Sequence, residues 1–261
     1  MTDAASSNVL GADSVRDVPE AYGASRIRAI GGGPLVGARL FRSCDLSSID
    51  AREADVIVGL LGVRSIYDIR NQSEVAARPE PYLVGAKTVA LAPSAETRRK
   101  DAGKRLVAGV IGAYGAPEER MVRNYRRYVS EYPLIGTALR SIAAEGVPAL
   151  VHCVNGKDRT GVLCAVLLRA SGIHPDDVMA DYLATNQVNA VSMRAEAASL
   201  GAGMTDGEQA ILQSFLEARP AYLDAFFTEV DNAFGSFDRY VREGLRLRFD
   251  QVERLAALLV R

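Results

Sequence analysis

Histidine and cysteine are scarce in this chain, at two and three residues, and tryptophan is absent. The two histidines, His152 and His174, cannot furnish a histidine-rich metal site, and neither a Cys-x-x-Cys nor a His-Glu-x-x-His pair occurs. No catalytic metal and no cofactor are therefore expected. Cys44, Cys153 and Cys164 are too few, and odd in number, for a disulfide framework; they suit a reducing interior. No apolar run reaches the ~18 residues that a membrane span needs. Met1 to Gly11 has neither a basic start nor a long apolar stretch, so no ordinary secretory leader is expected. The expected compartment is the cytoplasm, or the exterior by a route without such a leader. With 31 basic against 32 acidic residues, the net charge of −1 leaves no global field to draw the chain to nucleic acid or membrane. Any anion site must be local.

What is present is a globular composition, 48% hydrophobic and 24% charged over 261 residues. That length suits one domain, 1–261, with an added subdomain, and can bury an ample core. Residues 1 to about 35 read as an irregular lead-in ending at Gly31-Gly32-Gly33-Pro34. Strand patterns follow at 38–42, 63–68, 87–91 and 148–152. Helical patterns cover 50–62, with Gly62 as the stop, then 118–130, 133–146, 160–170 and 175–187, and later 206–217, 219–234 and 247–260. Between 94 and 117 the chain turns basic and glycine-rich. Residues 94–130 are the expected lid or insertion. The pattern predicts an α/β domain with one central sheet and a helical C-terminal third.

The chemistry lies in one stretch, His152-Cys153-Val154-Asn155-Gly156-Lys157-Asp158-Arg159-Thr160-Gly161. A short apolar strand precedes it, and an apolar helix follows. In a strand–loop–helix of this kind, loop amides and the helix N-terminus converge on one point and bind phosphate. A helix N-terminus and a nearby cation convert a thiol at that point into a thiolate nucleophile. Cys153 is thus the candidate nucleophile. Arg159, five residues beyond it, can grip two phosphoryl oxygens bidentately. His152 is expected to orient the loop, and Thr160 to hydrogen-bond the thiolate as it departs. Substrate-binding candidates are His152, Val154, Asn155, Gly156, Lys157, Thr160 and Gly161. The reaction implied is attack of Cys153 on phosphorus followed by hydrolysis of a cysteinyl-phosphate, with inorganic phosphate released in the site.

The decapeptide resembles the His-Cys-x-x-Gly-Lys-Asp-Arg-Thr-Gly loop of the atypical bacterial tyrosine phosphatase family, within the cysteine phosphatase superfamily. Further stretches are similar to that family: Ser14-Val15-Arg16-Asp17, Leu40-Phe41-Arg42-Ser43, Tyr67-Asp68-Ile69-Arg70, Asp181-Tyr182-Leu183-Ala184-Thr185-Asn186, and Gly235-Ser236 with Tyr240 and Gly244. The resemblance implies a cysteine phosphatase fold: a central, mainly parallel sheet flanked by helices, with a helical lid. It implies action on phosphotyrosine and, in some members, on phosphoserine, phosphothreonine and phosphoinositides. The expected partners are therefore a phosphoprotein or phosphoinositide substrate. Lys157 stands where lipid phosphatases place a basic residue against an extra phosphate. Ser14 departs from the family's usual Asn. Cys44 is either a small packed thiol or an oxidative partner for Cys153.

A tyrosine leaving group needs a proton donor. Residues 116–135 hold Glu118, Glu119 and Glu131 but no Asp. Asp158, inside the loop, is the first candidate for the general acid. Asp68, at a strand end, is the second, with a salt bridge to Arg70 as its competing role. Two other functions fit a Cys-x5-Arg loop: a phosphate-binding module without turnover, and sulfur transfer or arsenate reduction.

Overall fold

The computed structural model describes residues 27–33, 35, 37–91, 118–131 and 133–259. Among them, five strands form one sheet in the order β1-β2-β5-β3-β4: β1 Arg28–Ala29, β2 Leu40–Ser43, β3 Ser65–Asp68, β4 Lys87–Ala90 and β5 Ala149–His152. Only β1 runs antiparallel, against β2. β2, β5 and β3 are buried throughout, as expected of parallel strands covered on both faces.

Side-chain alternation along these strands divides the interior in two. Leu40, Tyr67, Ala149 and Val151 face the larger core, beneath the C-terminal helices. Phe41, Ile66 and Leu150 face a smaller one, closed by Leu46, Val56, Ile57 and Leu61. Helix α1, Ala51–Asp55, covers that side, capped by Asp50 and continued as a π turn over Val56–Leu60. After β3 comes α2, Gln72–Ala77.

The larger core is covered by α3 Glu119–Glu131, α4 Leu134–Glu145 and α5 Asp158–Ala170. They are followed by α6 Pro175–Leu183, α7 Thr185–Val188, α8 Ala190–Leu200 and α9 Asp206–Leu216. The chain ends in α10 Pro220–Phe234, the short α11 Phe237–Arg239 and α12 Phe249–Leu259. Residues 160–168 of α5 are buried all round, as the apolar sequence there predicts. No helix among the described residues is long and apolar enough to cross a membrane.

Two expectations shift. The helix expected over 175–187 breaks at Ala184. Beyond the break, Asn186 exchanges hydrogen bonds with the backbone of Ala218 (2.8 and 2.7 Å), and Thr185 Oγ1 lies 3.3 Å from both Arg28 and Arg42. These anchors fix the chain's direction more strongly than helix continuity. Helix α8 was not expected, because its alanine-rich sequence shows no apolar stripe. It pairs with α9 around a small cluster of Met204, Ile211, Leu212 and Leu216, joined to the larger core through Phe215. Of the expected lid over 94–130, residues 94–117 lie outside the described residues. So does Ser14-Val15-Arg16-Asp17.

Candidate active site

Three parallel strands end level with one another: Ser43 of β2 pairs with His152 of β5, which pairs in turn with Asp68 of β3. The chain leaves β5 at the centre of the sheet, places the buried Cys153 one residue further on, and turns into α5 at Asp158. Gly156 permits the turn. Its φ is +62°, and a Cβ there would lie 2.4 Å from the carbonyl oxygen of Ser43. Gly161 lets α5 close on Tyr182, whose ring would be 3.0 Å from an added Cβ.

No side chain caps α5, so its first amides keep their donors. Among the described residues, the backbone N–H groups of Val154, Asn155, Gly156 and Lys157 also donate to no protein acceptor. Successive donors in such a row suit an anion.

Arg159 closes the opposite side. Its Nη1 and Nη2 donate to Glu74 at 2.6 and 3.1 Å, which leaves three of its five N–H donors for another acceptor. Burial works against its charge, but Cys153 and Glu74 outweigh burial and raise its pKa above the ordinary guanidinium value. Glu74 also accepts from the amide of Asn71, closing a capping box at the start of α2. The Asn71-x-x-Glu74 spacing announces that cap but not the Arg159 pair, which sequence reading missed.

Asp158 is the candidate acid that lies in the loop. The Tyr125 hydroxyl donates to its Oδ1 at 2.8 Å and is itself 2.7 Å from the hydroxyl of Tyr182. Burial and then Asp158 hold the Tyr125 phenol neutral by raising its pKa well above 10. Asp68, the second candidate, lies at the adjoining strand end, paired with His152. Arg70 grips it through Nε and Nη2, with Nη2 at 2.7 Å. Burial would raise its pKa, yet the Arg70 hydrogen bonds and His152 bring it below the usual carboxylate range. Arg70 thus engages Asp68 in the expected salt bridge, which anchors the strand end.

Lys157 is neither solvent-facing nor aimed at open space. It is 1% exposed, and its Nζ donates to the carbonyls of Phe215 and Glu217, pinning the loop to the end of α9. Thr160 Oγ1 is buried and has no hydrogen-bond partner among the described residues, so the expected bond to the thiolate is not made in this geometry. His152 is fully buried, with Nδ1 3.3 Å from the Cys153 carbonyl and Nε2 3.3 Å from Glu80. Asp68, Glu80 and His152 come together within metal-binding reach. The Arg70 guanidinium already bridges the two carboxylates, at 2.7 and 3.0 Å, so the cationic place is taken.

The other thiols stand apart from these roles. Burial pushes Cys164 up to about 11, so it is neutral at physiological pH. Cys44 is half-buried after β2, its sulfur 3.7 Å from the Asp45 carbonyl. His174, expected at a surface or helix entry, caps α6 by accepting from the amide of Asp176.

A model described as the tyrosine phosphatase family matches residues 11–261. The chain belongs to that family. Membership makes it a phosphatase. Its relatives include the triple specificity protein phosphatase PtpB of Mycobacterium tuberculosis, 29% identical, a match covering 88% of this chain and 94% of that one. A Cupriavidus necator protein provisionally named a tyrosine-protein phosphatase is 40% identical over 111 residues, 42% of this chain and 40% of its own length. The core catalytic domain of the PP-IP phosphatase SIW14 from S. cerevisiae aligns over 71% of this chain and 85% of its own. It does so at 14% identity with a TM-score of 0.30, and the fold assignment rests instead on the sheet and the family.

Proposed function

We propose that this phosphatase hydrolyses phosphotyrosine, with phosphoserine, phosphothreonine and phosphoinositide monoesters as further substrates, through a cysteinyl-phosphate on Cys153. The observation that carries the reading is the row of unused amides, Val154 to Lys157, between a buried thiol and a cation fixed by Glu74. Cys153 sulfur attacks phosphorus as the P–O bond to the leaving group breaks, and Asp158 passes its proton to the leaving oxygen. Water then attacks phosphorus, the S–P bond breaks, and Asp158 takes the water's proton. Inorganic phosphate leaves. Arg159 and the amides follow the charge onto the equatorial oxygens. Thr160, whose hydroxyl is unengaged, is the donor that a departing thiolate can recruit. The printed name of the mycobacterial relative, triple specificity, supports a site that accepts more than one ester class.

The test is phosphate release in EDTA from a phosphotyrosine peptide, a phosphoserine peptide and a phosphoinositide. Wild type is compared with Cys153→Ser and Arg159→Ala. Release from phosphotyrosine that vanishes in both variants, with phosphate-ester binding kept by Cys153→Ser, supports the reading. No release from any ester, with phosphate still bound, would instead make the chain a binding module. Turnover of thiosulfate or arsenate in place of esters would move it to sulfur or arsenate chemistry.

A further inference from the structure

Behind the loop, on the side away from its amides, the carbonyl oxygens are all engaged. The amide of Asp45 donates to Val154 at 3.0 Å, Asn189 Nδ2 to Asn155 at 2.8 Å, and Arg42 Nη2 to Gly156 at 2.7 Å. In a planar trans peptide the C=O of one residue and the N–H of the next point in opposite directions. Drawing those three carbonyls outward therefore turns the amides of Asn155, Gly156 and Lys157 inward. We propose that Arg42 and Asn189 are positioning residues: they hold the loop's peptide planes so that its amides face the phosphoryl group before substrate arrives.

Arg42 is built for this. β1 and β2 pair Arg28 directly opposite Arg42, a repulsive arrangement unless an anion lies between them. Asp181 of α6 supplies it, taking Arg28 Nη1 at 2.5 Å on one oxygen and Arg42 Nη1 at 2.9 Å on the other. All three side chains are buried, and one carboxylate meets two guanidinium groups, so one positive charge is left over beside Gly156. A buried excess charge is costly unless another anion answers it. The anions that can answer it are the Cys153 thiolate and a phosphate in the cradle. Asn189 reaches the loop from the junction of α7 and α8, so its tether also couples the α8–α9 hairpin to the cradle.

This inference rests on the phosphatase reading, and its test separates the two. Inorganic phosphate is the probe, titrated calorimetrically into wild type, Asn189→Ala and Arg42→Lys; kcat and KM on an aryl phosphate and melting temperature are measured alongside. Lysine keeps the charge but cannot reach Asp181 and Gly156 together. The expected result is phosphate affinity and kcat/KM both reduced about tenfold in Asn189→Ala, and at least that in Arg42→Lys. The melting temperature of Asn189→Ala should stay close to wild type, which a merely structural role would not allow. Wild-type phosphate affinity and kcat/KM in Asn189→Ala would overturn the proposal, whether or not Arg42→Lys folds. Failure of wild type to bind phosphate would overturn the phosphatase reading and this inference together.

Discussion

Glu74 holds Arg159 through both carboxylate oxygens, Oε2 2.6 Å from Nη1 and Oε1 3.1 Å from Nη2. The same carboxylate closes the capping box of α2, so the helix is fastened to Arg159 through one side chain. Glu74→Gln separates the two duties, because glutamine also serves a capping box. A charge-assisted bond contributes about 1.5–3 kcal/mol. The expected outcome is kcat/KM lowered by about ten- to a hundredfold with a stability loss no larger than that bond, checked by steady-state kinetics and chemical denaturation.

Asp158 is predicted to act through the leaving group. Asp158→Asn should slow phenyl phosphates whose leaving groups are basic far more than those whose leaving groups are acidic, steepening the dependence of kcat on leaving-group pKa. Rates that fall equally across such a series would remove Asp158 from the proton transfer. Tyr125→Phe should give a milder form of the same pattern, since it loses the bond that aligns Asp158.

Acid should unfold the protein through its buried pairs. Burial opposes the Asp181 charge, but Arg28 and Arg42 outweigh it and hold the folded pKa below the ordinary value, as Arg70 does for Asp68. The unfolded chain therefore takes up these protons first, near the usual aspartate pKa of about 3.9. Their stabilisation is complete above that pH and is lost as the pH falls through the lower folded values. Denaturation curves should be flat in midpoint from pH 7 to 5 on this account and drop below about 4. Asp181→Asn, which strands two guanidinium groups, should cost about 3–5 kcal/mol at pH 7.

Lys157→Met tests the pin between loop and hairpin. It leaves the carbonyls of Phe215 and Glu217 without their donor, at about 1–3 kcal/mol. Hydrogen exchange should quicken over 211–218 while the strands Leu40–Ser43 and Ala149–His152 keep their protection.

The parts of the site that follow one another in sequence were legible in advance. An apolar strand, Gly156 at a turn and a buried helix after Arg159 announce a phosphate loop because each is a local property. The partners of that loop were not legible, because they arrive by topology. Glu74 reads only as a helix cap, Asp181 as one acid among three on its helix, and Arg28 lies in a strand two residues long. The matches at Leu40–Ser43 and Asp181–Asn186 marked the segments without revealing that Arg42 and Asp181 meet. Asp68 was legible in part: Arg70, two residues on, offered the salt bridge as its competing role, and that pair is present. Lys157, two residues before Arg159, gives no local sign that its ammonium turns away towards α9.

The apolar cluster between α8 and α9 closes largely on itself and meets the rest of the protein through Phe215 and a few polar pins at Lys157, Asn186 and Asn189. Such a part is a natural seam for engineering: its surface can be lengthened or exchanged within a hairpin of fewer than thirty residues while Ser43, His152 and Asp68 stay level at the strand ends.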